Sequence, residues 1–318
     1  MRPFRFAVMA SNATSADAWR AKARRVEQLG YGALLVVDHL GDQLAPVPAL
    51  MAAFDATTRL RAGSFVFSND YRNPVMLAKE IATLDHLSGG RVELGIGAGW
   101  MTRDYERLGI PYDPPAKRVD RLIEAVGLID RLFTEASVDS FGTFYPVRGA
   151  ALFPKAVQHP RPPLMIGGGG PRMLRFAARH ADIVALAPQV NADGQPHVAH
   201  LTTASTAEKI ATVRAAAGPR FDSIELNIIV FDAAIQDDAG SFIDGLAARL
   251  KAAVTTVIGS PYFLYGSLEK IRRELLERRE RLGVSYYAIP EKIMEPFAPL
   301  ARELAAGHGV AAVEMGAA

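Results

Sequence analysis

Eight short apolar runs alternate with helical patterns along this chain, and that alternation limits its fold more than any other feature. The runs lie at residues 4–9, 33–37, 60–67, 91–97, 164–166, 182–186, 224–230 and 285–289. Short runs dominated by apolar residues mark strands buried on both faces. Helical spacing fills the intervals, most clearly at 117–133, where Val119, Leu122, Ile123, Val126, Ile129 and Leu132 share one side. Regular strand–helix alternation produces a parallel sheet. Eight such units in 318 residues favour an α/β chain closed as a (β/α)8 TIM barrel over an open doubly wound sheet. The open alternative would want a nucleotide-binding fingerprint near the N-terminus, and residues 4–15 carry none. No break in composition divides the chain, so a single domain is expected over residues 1–318. Residues 138–160 and 188–206 interrupt the rhythm and read as insertion segments at the C-terminal rim, the first with a short hairpin and the second as a mobile loop. The tail, 308–318, is expected to fray.

Composition removes several classes of function. A formal charge of +2 and a pI near 8.8, with no basic run, give no footprint for nucleic acid or a membrane surface. Zero cysteines exclude disulfides, thiolate nucleophiles and iron–sulfur ligation. No apolar stretch reaches transmembrane length and the first residues lack a secretory core, so a cytoplasmic protein is expected.

In a barrel of this kind, chemistry sits where strands end and the following loops begin. The expected strand ends carry Ser11-Asn12, Asp38-His39, Ser68-Asn69, Gly97-Ala98-Gly99-Trp100, Gly167 to Gly170, and Pro188-Gln189. Polar and glycine residues gathered on one rim suit a flat cofactor with polar edges. Asp38-His39 is the sharpest pair: a rim histidine can shuttle a proton near neutral pH, and the carboxylate can orient it or bind a heterocycle edge. The alternative makes Asp38 a cap and His39 a solvated loop residue. Gly95, Gly97 and Gly99 stand at alternate positions, so on an extended segment they leave either a slot for a planar ring or room for close packing. Trp100 either lines a substrate pocket or covers the barrel end. Gly167, Gly168, Gly169 and Gly170, with Pro171 opening a helix, form a glycine turn whose bare N–H groups and helix dipole suit a phosphate. His197 and His200 stand three apart without a supporting acid pattern, and no metal site is expected.

Together these segments resemble the bacterial-luciferase-like superfamily of flavin- and coenzyme F420-dependent oxidoreductases. The resemblance is carried by residues 36–40 (Val-Val-Asp-His-Leu), 72–79, 166–170 and 177–182, and above all by 82–100, which ends Leu94-Gly95-Ile96-Gly97-Ala98-Gly99-Trp100. It looks closest to the F420-dependent branch, with an FMN-dependent monooxygenase as the alternative. It implies that Asp38 contacts the deazaflavin ring and that His39 faces its reactive carbon as proton donor or acceptor. Phe65 and Val66 would form a bulge, often with a non-proline cis peptide, behind the ring. Gly97, Ala98 and Gly99 would border the ring and ribityl chain, and Gly167 to Gly170 would take the phosphate. Ser11 and Trp100 would face a small organic substrate. A homodimer is implied as well. Sugar-phosphate dehydrogenases of this branch carry a glutamate where Trp100 stands, and a tryptophan where this chain has Gly41-Asp42-Gln43. That departure argues against a glucose 6-phosphate dehydrogenase.

Overall fold

The computed structural model describes residues 1–191 and 195–307. The tail at 308–318 lies outside the described residues, as do 192–194 of the second insertion. Eight parallel strands form the centre: β1 (Arg5–Met9), β2 (Ala33–Val36), β3 (Arg61–Ser64), β4 (Val92–Gly97), β5 (Leu164–Gly168), β6 (Ile183–Leu186), β7 (Glu225–Ile229) and β8 (Tyr286–Pro290). Each pairs with the next, and β8 pairs with β1 to close the cylinder, with Arg5 opposite Tyr286. The expected (β/α)8 barrel is therefore the observed one.

Residues along each strand alternate between two cores. Ala7, Leu35, Met165, Ala185, Tyr286 and Ala288 point inward as one cluster, while Phe6, Val8, Leu34 and Val36 pack outward under the helices. The floor of the cylinder is ionic. Glu93 is 1% exposed. It accepts from Arg5, from Arg61 at 3.0 Å and from the Tyr286 hydroxyl at 3.2 Å. Arg5 also reaches Glu225. The polar floor closes the end opposite the loops, so access to the interior is from the C-terminal rim.

Local chemistry sets most helix boundaries. Ser15 caps helix Ala16–Gln28 by accepting from Ala18 N at 3.1 Å, and Asn73 caps Pro74–Ser88, which Gly89 ends at φ 68°. The structure differs from the sequence pattern at four places. The run expected at 60–67 stops after Ser64, passes through a cis peptide at Phe65–Val66, and resumes as Phe67–Ser68 against β4. A charged helix, Thr102–Leu108, occupies a stretch for which the sequence pattern suggested no element, ended by Gly109 at φ 65°. The second insertion is shorter than expected: helix Thr203–Ala217 begins early because the Thr202 hydroxyl accepts from Ser205 N at 3.1 Å. An unforeseen parallel pair, Asp232–Ile235 with Phe263–Gly266, lies outside the barrel. The hairpin expected in the first insertion is present as Val138–Ser140 with Val147–Ala150. Among the described residues no helix is long and apolar enough to cross a membrane.

Candidate active site

His39 follows β2 at the barrel rim with its side chain 22% exposed. Its Nδ1 lies 2.6 Å from Oδ2 of Asp104. A carboxylate only accepts, so Nδ1 carries the proton and Nε2 is the ring nitrogen left for chemistry. Asp104 sits in the first turn of Thr102–Leu108, 1% exposed. It also accepts from the Tyr71 hydroxyl at 3.2 Å and from Leu40 N at 3.3 Å. Burial, and then the charge of Asp104, push the Tyr71 phenol well above its usual value, so it remains a donor. Trp100 meets the His39 ring edge to face, centroids 5.4 Å apart. The Asp104 carboxylate, itself held by Tyr71 and Leu40 N, and the Trp100 indole thus fix the imidazole.

Asp38 is only 7% exposed and is held differently. Arg72 donates to both its oxygens, at 2.6 and 2.9 Å, and Ser68 N donates at 2.9 Å. Such a bidentate pair fixes geometry as well as charge. Asp38 thereby ties the rim after β2 to the segment that follows the cis peptide. Ser11 is tied to the same strand end, its hydroxyl accepting from Val37 N at 3.0 Å.

The cis peptide turns Val66 into the barrel, where it joins the inward cluster with Phe65. It faces the glycines of two strands: a Cβ on Gly97 would stand 2.9 Å from Val66 Cγ2, and one on Gly167 would stand 3.5 Å from both methyls. The two glycines thus let Val66 pack directly on their backbone, Gly97 buried and Gly167 partly exposed. Gly99 lies beyond β4 at φ +75°, so it does not share the strand face of Gly95 and Gly97. A Cβ there would meet Tyr105 Oη at 2.1 Å. Tyr105 also reaches the Ala98 carbonyl at 3.4 Å.

The glycine turn separates by role. Gly168 is packed on Met173, and a Cβ on Gly169 would strike the Ala187 carbonyl oxygen at 2.2 Å. Gly170 is the N-cap of helix Pro171–His180 and brings no capping side chain; the nearest atom to a Cβ there is Gln189 Nε2 at 3.9 Å. The first-turn N–H groups behind it are therefore left without a side-chain cap.

The structure brings His39 and Trp100 together and sets Val66 against Gly97 and Gly167. Ser11 and Asp38 spend their polar atoms on the scaffold. Sequence reasoning missed Asp104, Tyr71 and Arg72. Tyr71 and Arg72 stand at the expected end of the third strand, where no role was read for either. The signal for Asp104 was an acid four residues after Trp100, in a short charged stretch that Gly109 ends.

The luciferase-like monooxygenase model matches residues 1–238. An uncharacterized protein of Mycobacterium tuberculosis is 29% identical over 231 residues, 66% of this chain and 78% of its own length. The F420-dependent glucose-6-phosphate dehydrogenase of Intrasporangium calvum is 32% identical over 168 residues, half of each chain. Among solved structures, an F420-dependent secondary alcohol dehydrogenase superposes with a TM-score of 0.76 at 18% identity, covering 94% of this chain and 98% of its own. The long-chain alkane monooxygenase LadA superposes at 0.77 with 16% identity, covering 96% and 91%. At such identities the likeness is one of fold. With three quarters of its length under the family model, its barrel closed and its rim built as described, the chain belongs to the luciferase-like monooxygenase family.

Proposed function

We propose that this protein is a coenzyme F420-dependent oxidoreductase acting on a small organic substrate. The observation that carries this reading is the His39–Asp104 pair, 2.6 Å apart at the rim of a glycine-lined barrel mouth. Two features of the chain fit a planar, phosphate-tailed cofactor. Val66 lies directly on the side-chain-free backbone of Gly97 and Gly167, and Gly170 leaves the N-terminus of Pro171–His180 uncapped, where backbone N–H groups and the helix dipole favour an anion. When bound, the deazaflavin would supply two-electron hydride transfer, the chemistry the protein itself lacks. The chain's own residues would do the rest. The turn at Gly167, Gly168, Gly169 and Gly170 would hold the phosphate. Val66, with Phe65, would support the ring, and Gly97, Ala98 and Gly99 would border it. His39 would move the accompanying proton at Nε2, with Asp104 fixing its tautomer. Asp38, through Arg72 and Ser68 N, would keep this rim in register. Trp100 would wall the substrate side near His39, with Ser11 beside it.

An FMN-dependent monooxygenase is the second reading, supported by the family to which the chain belongs. Trp100, in place of the glutamate of sugar-phosphate dehydrogenases, points away from glucose 6-phosphate. Fluorescence titration with F420 and with FMN separates the two cofactors. The proposal expects tight F420 binding and turnover that needs no oxygen, whereas turnover only with reduced FMN and oxygen overturns it. We also propose a homodimer. It would form through helices Pro46–Ala56 and Pro74–Ser88, where Met76 and Leu87 are 53% and 61% exposed beside Val47 and Met51. Light scattering would then give twice the chain mass, and Leu87→Glu would halve it.

A further inference from the structure

Beyond Tyr71 from His39, a cavity of about 600 Å3 opens between the Asn69–Tyr71 turn, residues 110–113, the start of helix Pro115–Thr134 and the hairpin connection. Its chemistry comes from Tyr71, Arg72, Lys117, Arg121, Phe144 and Tyr145. Formal charge nearly cancels there. Arg121 pairs with Asp70 at 2.7 Å and with Asp113, Lys117 pairs with Asp113 at 2.9 Å, and Arg72 is held by Asp38.

Hydrogen-bonding capacity does not cancel. The carboxylates are already engaged: Asp70 also accepts from the Tyr105 hydroxyl at 3.0 Å, and each oxygen of Asp113 takes one cation. The donors are in surplus. A guanidinium has five N–H groups and an ammonium three. Arg121 and Arg72 each spend a fraction of theirs on these acids, and Lys117 spends one on Asp113. The Tyr145 oxygen accepts from Asn69 Nδ2 at 3.0 Å, which leaves its own proton to give. A site with surplus donors, cationic groups and aromatic walls selects an acceptor with an apolar body.

We propose that this cavity binds an organic carboxylate carrying a flat apolar group. Its carboxylate would take the unspent donors of Lys117 and Arg121, and its body would lie against Phe144, Tyr145 and Tyr71. The site would also report to the rim: Arg72 grips Asp38, and Tyr71 donates to Asp104, the carboxylate that holds His39, so an occupant would touch a side chain behind each member of the pair.

Isothermal titration of the full chain with benzoate, acetate and benzamide tests this without any cofactor present, so its outcome is separable from the F420 reading. Benzoate should saturate one site, with acetate and benzamide each at least about tenfold weaker. Lys117→Gln, at a half-exposed side chain, should weaken benzoate by about tenfold and leave F420 affinity unchanged. Benzamide or acetate binding as well as benzoate would overturn the proposal. So would indifference to Lys117→Gln, or benzoate displaced competitively by F420.

Discussion

A histidine carries a proton usefully only when one ring nitrogen is held and the other is free. Asp104 does the holding here, and its burial makes the arrangement stiff: a carboxylate 1% exposed has no water to compete with Nδ1, the Tyr71 hydroxyl and Leu40 N. Asp104→Asn keeps the shape but offers a donor where the imidazole now requires an acceptor, so the wrong tautomer is favoured. We expect turnover to fall by about 10²–10³-fold with cofactor affinity unchanged. Steady-state kinetics beside fluorescence titration would check this, and a loss confined to KM would assign Asp104 to substrate binding. The Asp38-His39 dipeptide was legible because adjacency and rim position are sequence properties. Asp104 was not, since it lies 65 residues from His39 and only barrel closure brings the two together.

Within elements, side chains of one type can carry separate tasks, and the turn from β5 into helix Pro171–His180 shows how. Four consecutive glycines look equivalent in sequence. In the folded chain Gly169 is glycine because the Ala187 carbonyl occupies its Cβ position, whereas Gly170 has open space and an ordinary extended conformation at φ −83°, ψ 148°. Gly169→Ala should therefore cost about 1–3 kcal/mol of stability through overpacking, whatever binds nearby. Gly170→Asp separates fold from function. An N-cap aspartate satisfies first-turn N–H groups and suits the dipole, adding about 0.5–1 kcal/mol. The same charge would repel a phosphate, so F420 affinity should drop at least about tenfold while the melting temperature rises. Unchanged affinity would place the phosphate elsewhere. All eight strands were visible as elements because each is a short apolar run between turn residues. Thr102–Leu108 was hidden by its length and charge, and the Asp232–Ile235 and Phe263–Gly266 pair by lying outside the eightfold rhythm.

The two ends of the whole barrel are built on opposite principles. At the mouth, the turn from Gly167 to Gly170 is partly exposed and carries no side chains; at the floor, Arg5, Arg61, Glu93, Glu225 and Tyr286 converge from five strands to form an ionic plug. Scattered over most of the chain, these five carry no mutual signal in sequence. Burial alone would push the Glu93 carboxyl up, but Arg5 and then Arg61 outweigh it and hold it below the usual carboxylate range. The sign of its contribution follows. A carboxylate lowered in the folded state binds fewer protons than the unfolded chain, so it adds stability above the unfolded value of about 4.3 and loses it as pH falls through the folded value. Glu93→Gln removes that dependence and leaves Arg5 and Arg61 short of a buried partner, at a cost of about 3–5 kcal/mol at pH 7. Denaturant unfolding from pH 3 to pH 7 should show the two stability curves converging toward acid, while F420 binding at the far end stays unchanged at pH 7. Parallel curves would mean that Glu93 is not the group whose ionisation holds the floor closed.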